Sequence, residues 1–185
     1  MESEQLLRIE TESLVLRPFE IGDTATVYAL STEPASRKWL PSQVYADEAE
    51  ARETLEFLRE QYSRPADPRS GPYVLAVDHR GDDTLIGHVG LSPLDGDVEI
   101  GFSIAEAYQG QGLAVEAVSA ACLWAFGRFG LSRILAIAAQ SNQGSRKVLA
   151  RAGFEHQTDR VMDFQGVEQA VSEYALFGSG ARKEE

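Results

Sequence analysis

The stretch Tyr108-Gln109-Gly110-Gln111-Gly112-Leu113-Ala114 has residue types and spacing suited to chemistry. Two glycines supply the backbone freedom and close approach of a tight turn. The apolar, β-branched run 98–104 before it reads as a buried strand. The proline-free run 113–129 after it, rich in Ala, Val, Leu, Trp and Phe, reads as a helix. A turn between strand and helix aims the unpaired N–H groups of the first helical turn outward, beside the positive end of the helix dipole. That arrangement predicts a site for an anion, a phosphate above all. Other chemistries find less support. His79, His88 and His156 are dispersed, without the spacing of metal ligands, so no metal is expected. No glycine precedes a lysine, so the loop is not that of a nucleoside triphosphatase. Cys122 lies in an apolar helical run and reads as core filling.

The remaining elements must position this loop. Residues 13–19 read as a first strand closed by Pro18. Asp23 is a candidate N-cap for a helix over 24–30, which Glu33-Pro34 should end. Trp39-Leu40-Pro41 reads as an apolar knot. Asp47 can cap a longer helix over 48–62, with Leu55, Phe57 and Leu58 among its apolar positions. A Pro-rich loop over 64–72 follows, readable as a surface connection or as the edge of a substrate entrance. Residues 73–77 and 85–91 predict a hairpin about the turn 80–83. Asp95-Gly96-Asp97 turns the chain into strand 98–104. Strand 133–138 follows the central helix, so it should run parallel to 98–104 with a right-handed crossover. A short helix then ends near Arg151, with Gly153 as its C-cap residue and Phe154 returning to the core. Final strands lie over 161–164 and 170–177, around Gln165-Gly166.

A chain of 185 residues suits one domain, placed over 1–178, with a disordered tail at 179–185. Its formal net charge of −12 disfavours nucleic acid and anionic membranes, and no cluster of Lys and Arg offsets it. An acidic surface is instead a mild preference for cationic partners such as amines. One cysteine permits no internal disulfide, so a reducing compartment, the cytoplasm, is the simpler expectation. Neither a secretion signal nor a membrane span is legible.

Several pieces in order now make a pattern: Leu14-Val15-Leu16-Arg17-Pro18, Ile86-Gly87, Glu99-Ile100-Gly101-Phe102, the loop from Gln109 to Ala114, Ser141-Asn142-Gln143-Gly144-Ser145 and Ala152-Gly153-Phe154. The chain resembles the GNAT superfamily of acetyl-coenzyme A dependent N-acetyltransferases, and within it the RimJ and RimL group acting on ribosomal protein amino termini. The resemblance implies an α/β fold: a mixed, mostly antiparallel sheet with a central, splayed parallel strand pair and helices on both faces. It implies acetyl-CoA as co-substrate, an amine acceptor (a protein N-terminus or a small molecule) and a homodimer as a frequent assembly.

Carried over by position, Gln109, Gly110, Gln111, Gly112, Leu113 and Ala114 would bind pyrophosphate through main-chain N–H groups. Phe102, Ser103 and Ile104 lie on the strand whose backbone would pair with the pantetheine arm. Gly101 is either the bulge that splays this strand or room for a neighbour. Asn142 would contact the pantetheine, cap the following helix, or both. Arg146 and Lys147 would meet an outer phosphate or stand solvated. The amine must lose a proton before it attacks, and Glu99 is the expected base. A backbone N–H near Phe102 or Ser103 would serve the oxyanion. Where many family members carry a tyrosine acid stands Leu149, which leaves Ser145 as the nearest hydroxyl. The rival expectation is a chain that binds acyl-coenzyme A without turning it over.

Overall fold

The computed structural model describes residues 7–62 and 66–179. In chain order the elements are β1 (Ile9–Glu10), β2 (Leu14–Arg17), α1 (Thr24–Ser31), α2 (Pro34–Trp39), α3 (Glu48–Tyr62), β3 (Tyr73–His79), β4 (Thr84–Leu94), β5 (Asp97–Ile104), α4 (Leu113–Phe129), β6 (Arg133–Ala139), α5 (Gln143–Arg151), β7 (Glu155–Phe164) and β8 (Val167–Phe177). The strands form one sheet in the order β1-β2-β3-β4-β5-β6-β8-β7. Every neighbouring pair is antiparallel except β5 and β6, which are parallel and share a single register pair, Glu99 with Leu135. Past that point β5 continues for five residues without a β6 partner, so the two strands part.

Strand alternation sorts the helices onto two faces. Leu75 and Val77 on β3 pack with Ala117, Val118 and Ala121 of α4, while Val74 and Ala76 pack with Leu55 and Leu58 of α3. The larger core is therefore the α4 layer, where Val98, Ile100 and Ile104 also lie. Phe57 stays outside this packing, 50% exposed. The Asp47 carboxylate accepts the Glu50 amide at 2.9 Å and caps α3 as expected. Gly153 ends α5: its N–H donates to Ala150 O, and the Phe154 N–H to Leu149 O, which turns Phe154 back into the core.

Three local expectations change. Asp23 does not cap α1 with its side chain. Its carboxylate accepts from Arg17 Nη1 at 2.8 Å and from the Glu20 amide at 2.8 Å, because a charge-assisted pair with a half-buried guanidinium outweighs a helix cap. Pro34 does not merely stop α1. It opens α2 at the position where a missing N–H costs nothing, and Trp39 of the expected apolar knot is the last residue of that helix. Gly101 is not a bulge, since the β4–β5 register runs unbroken from Gly87 opposite Ile104 to Leu94 opposite Asp97. The irregularity lies one ladder away, where Val77 faces Gly87 but Asp78 faces Leu85, leaving Ile86 as the extra residue. Of the expected tail, residues 180–185 lie outside the described residues, as do 64 and 65 of the Pro-rich loop.

Candidate active site

The head of α4 is built as an open donor. Gly110 and Gly112 adopt φ of 76° and 86°, and Gly112 precedes the helix with no side-chain cap. The first intrahelical bond is Glu116 N–H to Gly112 O at 3.1 Å. The N–H groups of Leu113, Ala114 and Val115 precede it and have no acceptor within the helix. The two glutamines brace the turn: Gln109 Nε2 donates to Ile104 O at 2.9 Å, and Gln111 Nε2 to Ala107 O at 3.4 Å. An anion here therefore meets main chain, with the dipole of a 17-residue helix behind it.

The edge of β5 supplies a second set of backbone groups. Ala105 N–H donates to Ile86 O at 2.7 Å, so the pleat turns the amides and carbonyls of Phe102 and Ile104 away from β4 and toward the gap beside β6. Gln109 takes the Ile104 carbonyl, and Phe102 keeps both groups open to the gap. The Ser103 backbone faces β4 instead. Of the two amides proposed for an oxyanion, Phe102 is thus the one directed at the gap, and the splay of the strands, not a bulge, is what frees it.

Opposite, Asn142 caps α5, its Oδ1 accepting the Ser145 N–H at 3.0 Å. The cap is Asn142, so the Ser145 hydroxyl is spared for other work. Arg146 is committed, with Nε on Tyr174 Oη at 3.1 Å and Nη1 on Gln140 O at 3.2 Å. Lys147 is exposed. Leu149 is 1% exposed within the core, which explains an apolar residue where a tyrosine acid would otherwise sit.

A single cavity of about 970 Å³ joins these parts. It is lined by Glu99, Phe102, Ser103, Ile104, Gln109, Gly110, Gly112, Leu113, Ala114, Asn142, Ser145 and Lys147; of the expected site residues Gln111 and Arg146 lie outside its wall. Glu99 is half-buried and has no hydrogen bond or ion pair among the described residues, and burial pushes its carboxyl above the usual range. Sequence reading missed its neighbours on β4. Ser92 is opposite Glu99, Gly90 opposite Gly101 and His88 opposite Ser103, all six on the face that carries α3. The signal was the Asp95-Gly96 turn, which sets that register. Burial holds His88 neutral, its pKa down to about 4. Cys122 is pushed up to about 12 in the core and offers no thiolate. No group of metal-ligating side chains occurs among the described residues, and no helix there is long and apolar enough to cross a membrane.

A splayed parallel pair, an uncapped helix head and a carboxylate in one cleft define an acyl-transferase architecture. The chain belongs to the GNAT acetyltransferase domain family, whose model matches residues 13–155. It is 28% identical over 153 residues to the uncharacterized N-acetyltransferase YnaD of Bacillus subtilis, covering 82% of this chain and 84% of the relative. Among solved structures, a GNAT acetyltransferase from Bacillus anthracis superposes with a TM-score of 0.78 at 23% identity, over 92% of this chain and 98% of the other. The ribosomal-protein-S5-alanine acetyltransferase of Vibrio fischeri gives 0.80 at 21% identity, over 95% and 99%. RimL, a ribosomal L7/L12 α-N-protein acetyltransferase solved with coenzyme A, gives 0.77 at 18% identity, over 92% and 98%. The protein is therefore an acetyl-coenzyme A dependent acyltransferase of the N-acetyltransferase type, with a mixed sheet splayed at β5 and β6.

Proposed function

We propose that the protein acetylates a primary amine by direct attack, with donor and acceptor held together in the one cavity. The observation that carries this reading is that cavity's continuity: it runs from the free N–H groups heading α4 to the unpartnered Glu99 carboxylate. The residues fit coenzyme A, since bare N–H groups suit a pyrophosphate and the open Phe102 backbone suits an extended amide arm. Acetyl-coenzyme A supplies an acetyl thioester, whose carbonyl carbon forms a bond to the amine nitrogen as the bond to sulfur breaks. Gly110, Gly112, Leu113 and Ala114 hold the anionic end, and Asn142 Nδ2 and Lys147 approach from α5. Glu99 accepts the proton that the ammonium must lose, directly or through water. Phe102 N–H stabilises charge on the carbonyl oxygen. Ser145 returns a proton to the thiolate.

The names of the ribosomal-protein acetyltransferases bring a protein amino terminus forward as one acceptor, and a small amine is the other. The buried single cysteine suits a reducing, cytoplasmic setting. The test is a thiol-release assay with acetyl-coenzyme A against peptides of varied first residue and against small amines. Coenzyme A at a hundredfold its Kd is expected to stabilise the fold by about 2.7 kcal/mol, read as a melting shift of about 5–10 °C. No shift would end the proposed binding mode. A shift without thiol release from any amine would favour the cofactor-binding module, a reading that Leu149 in place of an acid supports.

A further inference from the structure

The wall of the acceptor half of the cavity is chemically lopsided. Its floor is the face of β4 and β5 that carries Glu99, and two residues along that face stand Gly101 and, across the ladder, Gly90. A Cβ at Gly101 would meet no atom within 4 Å, so the space beside Glu99 is open. On the face of the sheet that carries α3, the cavity is also lined by Leu30, Trp39, Leu40, Tyr45 and Phe57, from α1, α2, α3 and the loop joining α2 to α3. The tip of the β7–β8 hairpin comes over the same side, where Phe164 and Gln165 line the cavity and Gln165 Oε1 accepts from the Ser42 hydroxyl.

Charge is scarce by comparison. Among the described lining residues the carboxylates are Glu99 and Glu33. Glu33 is tied to the backbone, Oε2 accepting the Glu106 N–H at 3.0 Å, while Glu106 Oε1 in return accepts the Ala35 N–H at 2.7 Å. A cation, Lys38, also lines the cavity, its ammonium 4.5 Å from the centre of the Trp39 ring. A ligand carrying several ammonium groups would need a carboxylate or water for each one. This wall offers one uncommitted carboxylate and repels further positive charge at Lys38. An amine with a single charge would place its nitrogen at Glu99 and fill the remaining space with carbon, most favourably with a flat ring against Trp39, Tyr45 and Phe57.

We propose that the acceptor is a monoamine whose nitrogen is flanked by an apolar, preferably aromatic, body, and that polyamines and aminoglycosides are not acceptors. This rests on the acetyl-transfer reading above. The chemistry is shared by two sources, a free arylalkylamine and a peptide whose first side chain is apolar. In the step itself the neutral amine forms its N–C bond as the C–S bond breaks. The ammonium's first proton goes to Glu99, and the second, lost after attack, balances the thiolate leaving as thiol.

The test compares kcat/KM on the full-length protein for phenethylamine, ethanolamine, spermidine, kanamycin and the peptide amides Phe-Ala-Ala and Ser-Ala-Ala. Burying one ring predicts a roughly tenfold to hundredfold preference for phenethylamine over ethanolamine, or for the Phe peptide over the Ser peptide. Whichever apolar compound leads identifies the source. The variant Trp39→Ser should reduce that ratio at least severalfold. A separate readout measures amine binding to the coenzyme A complex by saturation-transfer NMR, where phenethylamine should bind and ethanolamine should not. Faster turnover of spermidine, kanamycin or the hydrophilic partner of either pair would overturn the inference while leaving acetyl transfer intact. Phenethylamine binding without any thiol release would instead sink acetyl transfer and keep the assignment of the pocket; neither binding nor release would end both.

Discussion

Glu99 sits half-buried on β5 with no partner for its charge, and loss of water alone raises its pKa. For catalysis this moves a carboxylate toward the range where it can take a proton near neutrality. For stability the sign is the reverse of an ordinary paired acid. A folded pKa above the unfolded one means a contribution that is present below the unfolded value and lost as pH rises through the folded value. Glu99→Gln is therefore expected to lower kcat by about 10²–10³-fold and, at pH 7, to raise the melting temperature. The acidic limb of the wild-type kcat/KM profile should lie above the usual carboxylate range and vanish in the variant. An unchanged kcat would remove Glu99 from the reaction. The same residue-by-residue separation holds on α5, where Asn142 does the capping and so frees Ser145 from that duty.

At the scale of elements, two glycines on adjacent strands do opposite jobs. Gly87 lets β4 and β5 approach: a Cβ there would fall 2.0 Å from Ser103 O. Gly101, three rungs along the same ladder from Gly87, faces open space. Gly87→Ala should therefore cost about 1–3 kcal/mol and lower the urea midpoint, because the obstacle is backbone. Gly101→Ala should leave the midpoint within about 0.5 kcal/mol of wild type and act on acceptor choice alone. Equal losses of stability would contradict the geometry. The first helices are anchored by a comparable device: Arg17 pairs with Asp23 at 2.8 Å and with Asp78 at 2.5 Å, tying the start of α1 to β2 and β3.

For the whole molecule, acid stability is set in part by His88. Its folded pKa of about 4 lies below the unfolded value of roughly 6.5. The neutral ring thus contributes fully above the unfolded value, and that contribution is lost as pH falls from there toward the folded one. Between pH 7.5 and 5 the wild type should lose of order 2 kcal/mol more than His88→Asn, measured by urea unfolding at each pH. Parallel slopes for the two proteins would show that His88 gains its proton freely in the folded state.

Much of this was legible beforehand because it is local. Helix 48–62 is marked by Asp47 and its apolar positions and helix 113–129 by an apolar run between glycines, and the loop between Gln109 and Ala114 declares its free amides by its glycines together with the strand and helix that flank it. The first helix ends before Glu33-Pro34 as expected, but that Pro34 also opens α2, and that the Asp23 side chain serves Arg17, six residues before it, in place of a helix cap, were second local uses that the sequence could not rank. Gly101 stayed open between a bulge and room for a neighbour for a related reason: a glycine in a strand signals missing bulk without saying whether a backbone or a ligand needs the space. Only the tertiary structure decided that, placing Ser103 O against Gly87 and nothing against Gly101. The aromatic wall of the acceptor cavity also waited for it. Trp39, Tyr45, Phe57 and Phe164 come from segments up to 125 residues apart (164 − 39), and no spacing along a chain records which side chains a folded sheet will gather over one carboxylate.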